Sequence, residues 1–160
     1  MKKHPLVLPA VLLWLAGVAH TSAQPAASKP KDSPNVQAQL RKLPGPVRAT
    51  VEAEARNATI KSISTEKAHG KTVYELESLV NGRTRDLMID STGKVYVVEE
   101  QLDLDKAPAP VRAALEAQGT VGTLESVMEN GRTHYEGQVR TRSGKKVELT
   151  LEADGTPVKK

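Results

Sequence analysis

Apolar and polar residues alternate over several short segments of this chain, which is the pattern of β-strands with one buried face. The clearest example is KVELTLE at residues 146–152, where every second residue is apolar. Further strands are predicted around Ile60 and Ile63, at 72–80 and at 133–141. Asn-Gly pairs and related turn sequences separate these segments, and such pairs favour tight hairpins. The pattern therefore predicts antiparallel sheet over most of the chain.

Two short segments instead have the spacing of an amphipathic helix. Each begins at a proline, Pro46 or Pro110, and proline is favoured at the first helical position. The apolar stripe follows at i, i+3 and i+4 in both. Its members are Val47, Thr50 and Val51 in the first segment, and Val111, Ala114 and Leu115 in the second.

The order of these segments occurs twice. LPGPVRA at 43–49 returns as APAPVRA at 107–113, and GKTVYE at 70–75 returns as GRTHYE at 131–136. The chain is therefore predicted to be α+β, with two tandem repeats that each pack a short helix on a roughly four-stranded antiparallel sheet. We expect the repeats at 43–100 and 107–160, joined by a linker at 101–106. Each is so small that we expect the two halves to stabilise each other, with their sheets joined edge to edge or stacked as separate lobes.

Short motifs in the first repeat resemble a known group of domains. LPxxV at 43–47, GKxVYEL at 70–76 and DxxGKV at 90–95 are similar to the PepSY and PepSY-like group, which includes the repeats of secreted β-lactamase-inhibitor-like proteins. The second repeat fits less well, with Ala107 for the leading leucine and Gly137 inside the tyrosine strand. The resemblance implies secreted or envelope domains without catalytic activity, some of which inhibit proteases or other enzymes.

Residues 1–23 have the features of a secretory signal peptide. Two lysines precede an apolar run from Leu6 to Ala19, and Thr21-Ser22-Ala23 supplies the small residues of a cleavage site. The run is shorter than the roughly 20 residues that span a bilayer. We therefore expect a periplasmic or secreted protein with no stable membrane anchor after cleavage. Residues 24–42 are predicted to be a disordered leader that ends in a short helix.

Composition excludes several kinds of site. The chain has no cysteine and 2% aromatic residues, which argues against thiolate chemistry and base-stacking surfaces. Loss of Lys2 and Lys3 with the signal peptide lowers the formal net charge from +4 to +2, so no nucleic-acid partner is expected. His69 and His134 occupy non-equivalent positions, and the acidic segment 99–105 lacks EF-hand spacing. We expect no catalytic residues, metal site or cofactor, and therefore no enzyme.

Strand parity leaves one sheet face without a helix, while Tyr74 and Tyr135 point to the helix side. The candidate protein-binding surface on the open face consists of Val73, Glu75, Leu79, Met88, His134 and Glu136. The part of the open face in the first repeat is more apolar than the part in the second repeat. We therefore expect this face either to bind a partner or to pack against the other repeat or a second chain. Our main hypothesis is a non-enzymatic binding or inhibitor-type module that acts on an envelope or extracellular protein. The alternative is an envelope domain that senses a small molecule or metal ion.

Overall fold

A computed structural model of the protein describes residues 34–68 and 70–159, which form three α-helices and one seven-stranded antiparallel sheet. The strands lie side by side in the order of the sequence. The helices are α1 (Pro34–Lys42), α2 (Gly45–Glu54) and α3 (Ala109–Gln118). The strands are β1 (Ala58–Ala68), β2 (Lys71–Val80), β3 (Arg83–Asp90), β4 (Val95–Gln101), β5 (Gly119–Glu129), β6 (Arg132–Thr141) and β7 (Lys146–Leu151). The expected signal peptide, residues 24–33 of the leader and His69 lie outside the described residues.

The two halves of the chain share one sheet. Strand β4 of the first half pairs with β5 of the second, from Val97 opposite Glu129 to Gln101 opposite Glu125. The edge-to-edge arrangement is therefore the one the protein adopts. Because the second half continues the same sheet, it does not cover the open face of the first half.

The second half contributes three strands, so the expectation of about four strands in each repeat is wrong for this half. Where a fourth strand would follow, Pro157 forms an isolated bridge with Leu151, and the amide of Val158 donates to the carbonyl of Thr150. Proline has no amide hydrogen and cannot continue a ladder of hydrogen bonds. The first half therefore contributes four strands to the sheet and the second half contributes three.

Helices α1 and α2 cover the first half of the sheet. Val47 and Val51 of α2 are completely buried, as the predicted stripe requires. Tyr74 packs against this core, in agreement with strand parity. Burial of these side chains supplies the main stabilisation, because α1 and α2 are too short to be stable alone. The core consists of Val36, Leu43, Val47, Val51, Ile60, Ile63, Leu76, Leu87 and Ile89.

Helix α3 covers the second half through a smaller core. It consists of Ala107, Val111, Leu115, Leu124, Val139 and Leu151, with Tyr135 packed beside it. A Cβ atom on Gly137 of β6 would lie 2.5 Å from a methyl carbon of Leu115, so only glycine leaves room for this leucine. The equivalent positions of the first half hold the smaller Val51 on the helix and the larger Leu76 on the strand. The departure from the motif at Gly137 is thus compensated by its packing partner.

A glycine-containing turn packs closely against the N-terminal part of α2, and a second such turn packs against that of α3. At Gly93 φ is +87°, and a Cβ atom there would lie 2.7 Å from the carbonyl oxygen of Pro46. The hydroxyl of Thr50 on α2 donates to the carbonyl of Gly93 at 2.7 Å. Gly155 lies against Pro110 in the same way, with φ of +80° and a distance of 2.7 Å. In both halves the chain approaches the helix too closely for a side chain.

The segment between the halves contains a short helical turn. Strand β4 ends at Gln101, and Leu104–Lys106 forms a 3₁₀ turn. Leu102 and Leu104 both pack against the second core. The reason is geometric, because the chain must leave the plane of the sheet here to place α3 over it. Alternation of acidic and apolar residues could not distinguish this turn from a strand.

Candidate functional site

The candidate site is the face of the sheet opposite the helices, which we call the open face. All six residues of the predicted surface lie on it, because residues paired across antiparallel strands share a face. None of the three described helices packs there. The pairs that place the six are Val73 with Asp90, Glu75 with Met88, Leu79 with Thr84, His134 with Val127, and Glu136 with Glu125.

An apolar cluster lies in the middle of the open face. Val73 and Met88 meet Val97 and Val127 there, and the four side chains are between 4% and 9% exposed. The structure thus brings two of the predicted residues together but buries them. They stabilise the sheet and offer little surface to a partner. Leu79 is half-buried beside Thr84 and does not belong to this cluster.

Six carboxylates run across the open face beside the apolar cluster, and we call them the acidic band. In the sheet, Glu77 lies opposite Asp86, and Asp86 lies opposite Glu99. Like charges in such cross-strand pairs destabilise a sheet. The acidic band consists of Glu75, Glu77, Asp86, Glu99, Glu125 and Glu136.

The carboxyl groups at the centre of the acidic band hold their protons unusually strongly. Burial, followed by repulsion from Glu125 and Glu136, raises the pKa of Glu99 to about 7. Burial likewise raises the pKa of Asp86 to about 6, against the effect of the Ser78 amide that donates to it. Partial dehydration and nearby like charges destabilise a carboxylate relative to its neutral form. The negative charge of the acidic band therefore lowers the stability of the folded protein when these groups are ionised.

Local partners offset only part of this charge. The hydroxyl of Ser64 donates to Glu75 at 3.1 Å, and Nε2 of His134 lies 3.3 Å from Glu136. The charged groups that shift the pKa values of Glu75, Asp86, Glu99 and Glu125 are all carboxylates, and they raise these pKa values. The basic residues of this face lie at the ends of its strands, at Lys71, Arg132, Arg140 and Lys146.

The predicted surface includes Glu75 and Glu136 but not the other four members of the acidic band. Glu99 was assigned to an acidic segment leading into a linker, and Glu125 was not singled out. Glu99 lies two residues after Val97 on β4, so strand parity assigns both side chains to the open face. Its proximity to Glu125 follows only from the β4–β5 pairing, which no sequence signal predicts.

Two other features, a metal site and a membrane-spanning helix, are absent from the described part of the chain. No group of three or more histidine, aspartate or glutamate side chains there is arranged to hold a metal ion. No helix within residues 34–68 and 70–159 is long and apolar enough to cross a membrane.

Comparison with solved structures finds a similar fold in proteins from Bacteroides species.

 A protein from Bacteroides eggerthii that is described as periplasmic superimposes with a TM-score of 0.60 at 17% identity, over 73% of this chain and 86% of that one. A DUF2874 family protein from Bacteroides ovatus gives 0.58 at 19% identity, over 74% and 86%. A BLIP-like protein from Bacteroides fragilis gives 0.52 at 18% identity, over 71% and 82%.

These likenesses define the fold as β-lactamase-inhibitor-like, with helices on one face of an antiparallel sheet. No protein-family model matches the chain, and no curated protein sequence matches it significantly. The relationship to the PepSY group stays a prediction from the short motifs.

Proposed function

We propose that the protein is a non-enzymatic binding or inhibitor-type module of the periplasm or extracellular space, and that it acts on a protein partner through the open face. The observation that carries this proposal is the sheet face itself. None of the helices within residues 34–68 and 70–159 packs on it, yet it holds like charges that weaken the fold. Surface arrangements that lower the stability of the fold are often functional sites.

Two further observations support the proposal. The structural neighbours include a protein described as periplasmic and a BLIP-like protein, which fits a module of this location and type. The open face is also broad, since adjacent strands lie about 4.8 Å apart and the acidic band extends from β2 to β6, or roughly 19 Å. A surface of this width matches one side of a protein interface better than a pocket for a small molecule.

We also infer that the halves arose as tandem repeats at 43–100 and 107–160. The residues before α2 and α3, Pro44 and Pro108, have similar backbone angles, with φ and ψ of −54° and 146° in one and −51° and 138° in the other. The matching contacts of Gly93 and Gly155 support the same interpretation.

Site-specific photo-crosslinking tests the proposed function. A photoreactive amino acid is placed at Thr84, which is exposed on the open face, and separately at Ala49, which is exposed on α2. Illumination of cells that export the protein should give a discrete protein adduct from Thr84 and none from Ala49. Adducts from Ala49 alone, or from neither position, would contradict binding through the open face.

A further inference from the structure

The charge of the open face is opposite to that of the chain as a whole. The full sequence has a formal net charge of +4, and it stays positive without the predicted signal peptide. The six carboxylates of the acidic band nevertheless lie together, and the lysines and arginines of this face lie at its margins. Such segregation of charge favours association with a surface of the opposite sign.

The central carboxylates also lack the charge compensation that a purely structural role would favour. Elsewhere the protein does pair its charges, since Arg85 on the helix side contacts Glu54 and Glu100 at 2.9 and 2.8 Å. On the open face, the charged neighbours of the partly buried Glu99 are carboxylates, with Asp86 opposite it on β3 and Glu125 diagonal to it on β5. An external cation above Glu99 would relieve the repulsion within the acidic band.

We propose that the open face binds a protein partner through a basic surface whose lysine or arginine side chains lie over the acidic band. This inference rests on the proposed function and names the chemistry of the partner. Several cationic side chains are needed to match carboxylates spread over five strands, so a folded protein or a basic protein segment fits better than a single small cation. The half-buried Leu79 and the covered apolar cluster make the contact predominantly polar.

Paired charge removals test this inference with a defined probe. The probe is a fluorescent peptide of about 15 residues in which arginine alternates with serine, and its counterpart carries glutamate in place of arginine. The test variant is Glu99→Gln with Glu125→Gln. The matched control is Glu52→Gln with Glu116→Gln, which removes the same charge from exposed positions on α2 and α3. Thermal unfolding verifies that both variants are folded.

We expect the basic peptide to bind at least tenfold more weakly to the test variant and less than twofold more weakly to the control. Peptide-induced shifts of backbone amide resonances should be confined to β2–β6, and the acidic peptide should not bind. Equal weakening in both variants, or amide shifts on the helices, would overturn the inference because the peptide would then sense only net charge.

Two additional measurements distinguish a foreign partner from two other occupants of the open face. Residues 24–33 contain Lys29 and Lys31, so their replacement by glutamate would strengthen peptide binding if this segment covers the face. A dimer that dissociates on Glu99→Gln with Glu125→Gln would identify a second copy as the occupant. Either result would overturn the proposed foreign partner, and unchanged peptide binding together with a monomer supports it.

The proposal of a basic partner surface can be wrong even if the protein does bind a partner through the open face. If the adduct from Thr84 forms equally well with the doubly substituted Glu99 and Glu125 variant, the partner binds the open face without a basic contact. If no adduct forms from Thr84 at all, the proposed function itself fails. A loss of the adduct in the test variant, with retention in the Glu52 and Glu116 control, supports both.

Discussion

Replacement of Glu99 by glutamine is expected to stabilise the protein near pH 8. The pKa of about 7 for Glu99, against an ordinary 4.5, corresponds to at most about 3 kcal/mol at 1.36 kcal/mol for each pH unit. Solvent and salt screen part of this because the carboxyl is only partly buried. We therefore expect glutamine, which has a similar shape and no charge, to increase the free energy of unfolding by about 1–2 kcal/mol.

The gain should depend on pH in a defined direction. Because the pKa of Glu99 is higher in the folded state, its contribution to stability is fully present below about pH 4.5 and is lost as the pH rises through about 7. Glutamine does not titrate, so the difference between variant and wild type should be small at about pH 4.5. It should grow with pH and level off above about pH 8.

Urea unfolding followed by circular dichroism measures this difference at both pH values. Glu116→Gln, on an exposed face of α3, should change stability little at either pH. Glu100→Gln, which weakens the contact with Arg85 on the helix side, should be slightly destabilising near pH 8. A Glu99→Gln variant that is no more stable than wild type near pH 8 would refute the account of the acidic band as a strained surface.

Three further outcomes follow from the packing. Gly93→Ala should destabilise the protein by about 2–4 kcal/mol and Gly144→Ala by about 1 kcal/mol. Both glycines have positive φ, but only a Cβ atom at Gly93 would clash with a helix carbonyl. Chemical denaturation of the two variants separates the cost of the backbone conformation from the cost of the clash. Gly137→Ala should destabilise the protein by about 1–3 kcal/mol because the new methyl group clashes with Leu115 of α3. Gly122→Ala, whose methyl group would make only an ordinary contact, should destabilise it less. Thermal melts in which Gly122→Ala is the less stable variant would contradict this order. Cleavage at 105–106 should leave the halves associated through the β4–β5 pairing, and gel filtration that separated two folded halves would disprove their mutual stabilisation.

The local elements of the fold could be predicted because they depend on near neighbours in the chain. Alternation in 146–152 correctly placed three apolar side chains in the second core, and the stripe of α2 correctly predicted the burial of Val47 and Val51. The Asn130-Gly131 turn joins β5 to β6 with both residues at positive φ, as expected for this pair. The fourth strand expected in the second half was wrong, because Pro157 cannot continue a ladder of hydrogen bonds.

The candidate site was predictable only in part. Parity placed Val73 and Met88 on the open face, but their exposure depends on neighbours contributed by β4 and β5. The closeness of Glu99 and Glu125 also depends on which strands meet at the centre of the sheet. Neither feature has a local signature, because residues far apart in sequence produce both.

The sequence by itself determined the helices, the main hairpins and which side of most strands is apolar, because these follow from steric preferences and periodicity over a few residues. The tertiary structure decided that the two halves share one sheet, that the apolar residues of the open face are covered, and that six carboxylates become neighbours. These outcomes depend on the β4–β5 pairing, whose long-range hydrogen bonds and side-chain burial are properties of the folded chain as a whole.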